Sequence, residues 1–530
     1  MTSSELKLVG QRPGFDRRWA VLAVLCVAVF AINVDSSIVN VALPSLVREL
    51  RASTSRLQWV VDAYQLAFCA FVLAAGSLSD RFGRKGALIT GLAIFGAGTT
   101  AGAFGSTTGQ LIAARAVMGL GAAIVFPNTL SILSNVFTDR VGRAKAIGLW
   151  GATVGMGVAF GPIIGGWLLE HFWWGSVFLA MAPAAAAGIV LIGIVAPTSR
   201  DPAAPRQDRV GLTLSTLAIG TLVYTIIEAP DRGWSAPASL AGFLVAAAIL
   251  VVFIRWEQHV DEPMLDVGLF TNLRFSAASG AVTVAFFCLY GFIFLWTAYA
   301  QFLHGFSPFG TGVRLLPVAF SMGAASTYGP RLAVRLGNNR VVGAGLMMMG
   351  LGFAWISRSS THTPYLEMVG QMFVSATGIG LATAPATEAI MGVVPKEKAG
   401  VGSAVNDSTR ELGGTLGVAV IGSIFASLYL HAMQASHVAT IVPADLYARS
   451  KESVGAALLG GRALARTIPV AGSALVHAAQ NAFFHGFKVG VGVAAVIAVV
   501  GAALVTRVLP PRPTLTLEDE LAELHSDKPS

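Results

Sequence analysis

Among the ionisable side chains within or at the ends of long apolar runs are Asp35, Asp62, Arg115, Glu228, Glu388, Asp407, Arg410 and Glu411. Charge is costly inside a bilayer, so each is a candidate for transport chemistry. Burial disfavours a charged carboxylate, whereas a nearby guanidinium favours it. A carboxylate held between those two influences can take a proton from one side and release it to the other. Asp35 and Arg115 form the pair best suited to this, either as a coupling site or as a static ion pair between two helices. Asp62 could share their level or face water, and Glu228 could join them or be a solvated helix end. Glu388, Asn406, Asp407, Arg410 and Glu411 form a second group on the other side of the midplane. Asp407 and Arg410, three apart on one helix face, suit an intrahelical pair that shapes a cavity or a transport role.

Two glycine patterns accompany these charges. The first is Gly76-Ser-Leu-Ser-Asp80-Arg81-Phe-Gly83-Arg84-Lys85-Gly86, a charged link bounded by glycines between two apolar runs. The second is Gly151, Gly155, Gly157, Gly161-Pro162 and Gly165-Gly166, seven small or bending positions within sixteen residues. Small residues let membrane helices approach closely, and proline bends them. Gly-x-Gly spacings here follow no strand and precede no P-loop lysine, so ATP coupling is unsupported. Aromatic residues including Tyr64, Phe126, Trp150, Phe287 and Tyr290 are candidates to line an apolar cavity for amphipathic or cationic compounds, or to pack against lipid.

The elements that position these residues are membrane helices. The chain has 530 residues, of which 54% are hydrophobic and 12% charged, against about 25% charged in soluble domains. Apolar runs of spanning length occur near 18–43, 57–76, 87–105, 109–133, 145–169, 176–197, 211–229 and 237–254. Six more lie near 275–303, 311–332, 340–357, 365–390, 401–429 and 486–507, which makes fourteen spans. With the N-terminus cytoplasmic, 23 of the 36 Lys and Arg fall in links and tails on that side and 9 on the other. Both termini are therefore expected in the cytoplasm, in a multi-pass protein of the cytoplasmic membrane. No cleavable leader is expected, and Cys26, Cys69 and Cys288 read as structural thiols with no metal spacing.

The chain also repeats itself. Pro127-Asn-Thr129 followed by Asp139-Arg140-Val-Gly142 recurs, 258 residues on, as Pro385-Ala-Thr387 and Glu397-Lys398-Ala-Gly400. Leu332-Ala-Val334-Arg335-Leu-Gly337 is a degraded copy of Leu78–Gly83. The expected fold is an all-α polytopic membrane protein: two six-helix bundles plus two extra central spans. Its divisions are a first bundle over 1–200, a linker and the extra spans over 201–260, and a second bundle over 261–510. Residues 430–485 read as a long outward loop, with Val454–Leu459 in a helix lying on the membrane, and 511–530 as a flexible cytoplasmic tail. Paired bundles of this kind bind substrate midway at their interface and work by alternating access.

At these residues the sequence resembles the major facilitator superfamily, in particular its fourteen-span drug:proton antiporters. The Gly76–Gly86 stretch is similar to the superfamily's signature between spans two and three. Asp35-Ser-Ser-Ile-Val-Asn40-Val-Ala-Leu-Pro44 resembles a first-span signature, and Leu111–Gly121 a fourth-span motif whose arginine is associated with proton transfer. Met118 stands where that motif usually has glutamine. Gly157–Gly166 resembles a fifth-span motif associated with antiport. The resemblance implies proton-driven export of hydrophobic or amphipathic compounds, drugs among them, by a monomer without cofactor or nucleic-acid partner. It also implies that Asp80 faces the N-terminal end of the thirteenth span around Ala399–Gly402, with Arg84 paired to Asp139, as a cytoplasmic latch. The alternatives are an exporter dedicated to an endogenous lipid, siderophore or antibiotic, an importer of a small polar solute, or a non-transporting membrane enzyme or sensor. Short links and the lack of an appended soluble domain disfavour the last.

Overall fold

The structure, a computed structural model, describes residues 17–197, 208–394 and 399–511. Fourteen long helices account for nearly all of it. The first six are α1 (Arg17–Leu50), α2 (Thr54–Phe82), α3 (Arg84–Ala103), α4 (Thr108–Val136), α5 (Arg140–His171) and α6 (Ser176–Val195). Two central helices follow, α7 (Arg209–Arg232) and α8 (Pro237–Glu257). The last six are α9 (Leu273–Ala298), α10 (Leu316–Leu336), α11 (Asn338–Ile356), α12 (Tyr365–Met391), α13 (Ala399–Ala435) and α14 (Pro469–Val508). Eleven of the fourteen are long and apolar enough to cross a membrane by themselves. The other three, α2, α10 and α12, carry buried polar residues such as Gln58, Asp62, Gln65, Ser321 and Gln371 that face neighbouring helices instead of lipid.

The sequence repeat is a structural repeat. In the first bundle α1 packs on α5, and α4 packs on both α2 and α3; in the second α9 packs on α13, and α12 packs on both α10 and α11. Close crossings recur as well. Gly91 meets the backbone of Gly121 between α3 and α4, and Gly345 meets that of Gly378 between α11 and α12. Gly76 lies against Pro127, as Gly329 lies against Pro385. Both prolines sit inside their helices, so the fourth span continues past Pro127 to Val136. The central pair packs on itself, and α7 rests on α2 and α13.

Two expectations change. The Gly76–Gly86 link is helical apart from one residue: α2 runs to Phe82, α3 starts at Arg84, and Gly83 alone makes the corner at φ 116°. Gly337 makes the same corner in the second copy at φ 93°. Only glycine adopts such backbone readily, so Gly83→Ala is expected to cost about 1–3 kcal/mol. Thermal unfolding in detergent checks this, with Gly86→Ala, whose added Cβ meets nothing, as the neutral control.

The second change concerns residues 430–485. They are not a loop: α13 extends to Ala435, and α14 begins at Pro469 as one helix of 40 residues. Between them the short helices Ala444–Glu452 and Val454–Leu464 fold back onto the bundle. Val454, Ala457 and Leu458 are buried. Gly455 fits against Val47 of α1 and Phe302 beyond α9, so this helix bridges the two bundles.

Candidate functional site

The centre of the molecule is a buried ion pair between helices of the first bundle. Asp35 of α1 and Arg115 of α4 are essentially inaccessible, and Arg115 Nη1 donates to Asp35 Oδ2 at 2.7 Å. Arg115 Nε donates to the Val60 carbonyl at 3.0 Å, and its guanidinium lies over the Tyr64 ring, 4.3 Å from the centroid. Three contacts thus fix the arginine, and an Arg's planar fork suits all three at once. Asp35 keeps one oxygen, Oδ1, without a hydrogen-bond partner among the described residues. The backbone around Asp35 is held by its own turn: Ser36 and Ser37 hydroxyls donate to the Asn33 carbonyl.

The glycine-proline run sets the position of α1. Added Cβ atoms at Gly157, Gly161 and Gly165 would collide with Asn33, with Ser37 Oγ and the Val34 carbonyl, and with Ile38, respectively. Those residues flank Asp35 along α1. Gly166 meets the short helix Pro308–Val313 of the second bundle, and Gly312 of that helix meets the Pro162 carbonyl. Gly151 and Gly155 face open space, so the packing role belongs to the second part of the run.

On α2, the positions 58, 62, 65 and 69 recur at helical spacing and form one polar face toward α13. Gln58 Nε2 donates to the carbonyls of Val418 and Ala419 and to Ser423 Oγ at 3.0–3.2 Å. Gln65 lies against Gly414, and the Cys69 thiol reaches the Ser408 carbonyl at 3.6 Å. Asp62 sits between Gln58 and Gln65, fully buried, and neither carboxylate oxygen has a hydrogen-bond partner among the described residues. The helix spacing therefore places Asp62 at the seam between the bundles. Gln58, Gln65 and Gln301 escaped the sequence reading, because a neutral amide in an apolar run gives less signal than a charge. The seven-residue recurrence of polar residues on α2 was the available clue.

Across the seam, Asp407 and Arg410 form the intrahelical pair at 3.8 Å, and Arg410 lies over Phe286. Tyr64 is in electrostatic reach of Asp35 and Arg115 on one side and of Glu411 and Tyr290 on the other. Tyr290 in turn is within reach of Ser36, Arg410 and Glu411. Tyr64 is thus within electrostatic reach of members of both charge groups. Glu388 does not belong with them: it is exposed and its charged neighbour is Arg274 at the start of α9. Glu228 is also set apart from Asp35, paired with Arg232 at 3.6 Å and hydrogen-bonded by Trp59 Nε1. Glu388 was misplaced because distance along a helix axis does not reveal which face a residue presents, whereas Glu228 takes the helix-end alternative.

Of the aromatic candidates, Phe126 packs edge-on against Phe68 and Trp150, and Trp150 Nε1 donates to Thr129 Oγ1. Phe287 is buried where α13 crosses at Gly417. All three cysteines are free thiols, with Cys26 only half-buried.

At the Gly83 end, Lys85 Nζ donates to the Gly193 carbonyl of α6 at 2.7 Å. Asp139 caps α5 through the Gly142 N–H and pairs with Arg18 at 3.3 Å, and no Arg84–Asp139 contact occurs among the described residues. The side chains of Asp80, Arg81, Arg140 and Ala399–Val401 lie outside the described residues, as do Glu397 and Lys398. At the opposite end, which carries Arg51, the bundles are tied together. Besides Gln58, Gln301 Nε2 donates to the Val41 carbonyl and the Phe309 N–H to Glu170 Oε1. The structure is closed at the Arg51 end.

Comparison with known proteins agrees with this architecture. Residues 25–418 match the family model of the Major Facilitator Superfamily. The chain is 33% identical over 490 residues to the multidrug efflux pump LfrA of Mycolicibacterium smegmatis, covering 92% of this chain and 96% of the relative. It is 33% identical to the methyl viologen resistance protein SmvA of Salmonella typhimurium, covering 89% and 94% of the two chains. Among solved structures, a bacterial homologue of the human lysosomal transporter Spinster, in an inward-facing and unoccupied conformation, superposes with a TM-score of 0.64. It has 18% identity and the match covers 95% of this chain and all of that one, which supports the fold. Two six-helix bundles with a central helix pair, matched over nearly the full length of multidrug efflux relatives, place this multi-pass membrane protein in the Major Facilitator Superfamily, among its fourteen-span members.

Proposed function

We propose that this protein exports hydrophobic, amphipathic or cationic drug-like molecules across the cytoplasmic membrane, coupled to inward movement of protons. The observation that carries the coupling is the buried Asp35–Arg115 pair with Asp35 Oδ1 left open. A carboxylate facing a single guanidinium donor can exchange a proton when its surroundings change, with Arg115 still held by the Val60 carbonyl and the Tyr64 ring. In this reading the Gly83 end is cytoplasmic, as are both termini, and the closed Arg51 end faces outward. Substrate enters from the cytoplasm between the bundles, near Tyr64, Tyr290, Phe126, Trp150 and Phe287. When the Gln58 contacts to α13 part, the pocket opens outward and a proton reaches Asp35. Protonation weakens the hold of Asp35 on Arg115, and the return to the cytoplasmic side releases the proton. Asp62 at the seam is a second proton carrier whose charge state decides whether α2 and α13 separate. Gly76, Asp80, Arg81, Gly83, Arg84, Lys85 and Asp139 form the cytoplasmic latch of this cycle. The protein works as a monomer.

The names of the relatives LfrA and SmvA support drug-like substrates. Methyl viologen uptake into energised inverted vesicles tests the proposal. Accumulation is expected with a pH gradient, and collapse of at least tenfold when a protonophore is added, one decade corresponding to about 1.4 kcal/mol of driving force. Accumulation indifferent to the protonophore would remove proton coupling. Uptake by right-side-out vesicles in its place would make the protein an importer.

A further inference from the structure

We propose that the groove between α11 and α14 at the Gly83 end is a binding site for the headgroup of an anionic phospholipid. The groove has a volume of about 400 Å³, within the ~300–1,000 Å³ range of small-ligand sites. Its walls are Ala344, Met347, Ala502 and Ala503, and its rim carries Arg340 and Arg507. The walls are apolar and the rim is doubly cationic, a match for acyl chains below a phosphodiester. Neither arginine makes an ion pair or side-chain hydrogen bond among the described residues. Bare arginines at a helix seam in the interfacial layer attract anionic headgroups.

The internal repeat shows that the chemistry of this groove differs between the two bundles. The corresponding seam of the first bundle lies between α3 and α6. There Lys85 Nζ is consumed by the Gly193 carbonyl, and Gly86 stands where the second copy has Arg340, three residues after the corner glycine in each. The position of Gly343 is held there by Ile89, which packs into the core. In the second bundle Gly343 lets α14 close onto α11, since a Cβ would collide with Thr506 Oγ1. Asn339 Nδ2 donates to the Thr506 carbonyl at 3.3 Å and ties the helices at the groove's upper edge. At matching positions the first copy therefore has a glycine where the second has a cationic rim residue, Arg340.

Native mass spectrometry of the full chain in detergent, titrated with phosphatidylglycerol, phosphatidylethanolamine and inorganic phosphate, tests the site. Wild type is expected to retain phosphatidylglycerol over phosphatidylethanolamine. Arg340→Gln/Arg507→Gln should weaken phosphatidylglycerol retention roughly thirtyfold, at about fivefold per basic residue. Ala503→Trp, which fills the groove and keeps both charges, should weaken it as well, and inorganic phosphate should not compete. Retention unchanged in either variant, with both eluting as folded monodisperse protein, overturns the proposal. Competition by inorganic phosphate at equal concentration would make it an anion site without lipid. Retention that occurs only after removal of residues 512–530 would make the acidic tail, with Glu518-Asp519-Glu520, the occupant and equally overturn it.

Discussion

Vesicles carrying Asp35→Asn are expected to show no proton-driven substrate accumulation above empty vesicles, although the protein still inserts. The expectation has two parts that must be separated. Asparagine cannot carry a proton between the two sides, so coupling is lost outright. It also leaves Arg115 buried without its acid, and breaking a buried pair from one side costs about 3–5 kcal/mol. The Val60 carbonyl and the Tyr64 ring remain as partners for Arg115 and offset part of that cost. The double variant Asp35→Asn/Arg115→Gln removes both charges and should recover thermal stability relative to Asp35→Asn. It should recover no transport. Recovery of transport along with stability would reduce the pair to a strut between α1 and α4.

Gly161→Val is expected to prevent accumulation of folded protein in the membrane. The crossing of α1 and α5 at Gly161 brings Ser37 Oγ, the Val34 carbonyl and the Ile38 N–H onto the place a side chain would occupy. Overpacking a well-filled core by one methyl group or more costs about 1–3 kcal/mol, and here the neighbours include backbone of Val34 and Ile38 that cannot rotate away. A marginally stable protein has little beyond this to lose. At Gly155 on the same helix an added Cβ meets nothing within 4 Å, so Gly155→Val should accumulate normally. Size-exclusion profiles of the two variants from solubilised membranes give the comparison. Equal yields would mean that the helices separate freely at Gly161 and that its packing does not position Asp35.

The contrast between Gly155 and Gly161 shows what a sequence can and cannot convey. Density of small residues in the fifth run marked a helix built for close approach, but not which glycines are used. That depends on the direction of α1, which no local pattern encodes. Eleven of the fourteen helices were plainly legible because lipid exposure demands continuous apolar runs. The first half of α14 was not, because residues 469–485 pack partly against the helix Val454–Leu464 and include His477, Gln480, Asn481 and His485. A stretch covered by protein has no need of apolar density. The Asp35–Arg115 pair was legible for the opposite reason: two opposite charges in apolar surroundings have few stable arrangements except together. Glu228 and Glu388 had nearer cations, Arg232 and Arg274, at the helix ends where charge is cheap. Tyr64 joined the two charge groups through a shape that only the folded bundle supplies.

The central claim is that Asp35 gives up or takes a proton as substrate comes and goes. Proton release on substrate addition can be read directly, with purified protein in weakly buffered detergent and a pH-sensitive dye. Wild type is expected to release protons when a transported compound binds, in proportion to occupancy, and Asp35→Asn to bind the compound with that release lost or reduced by one proton. Identical proton release from both proteins at equal occupancy would contradict the account.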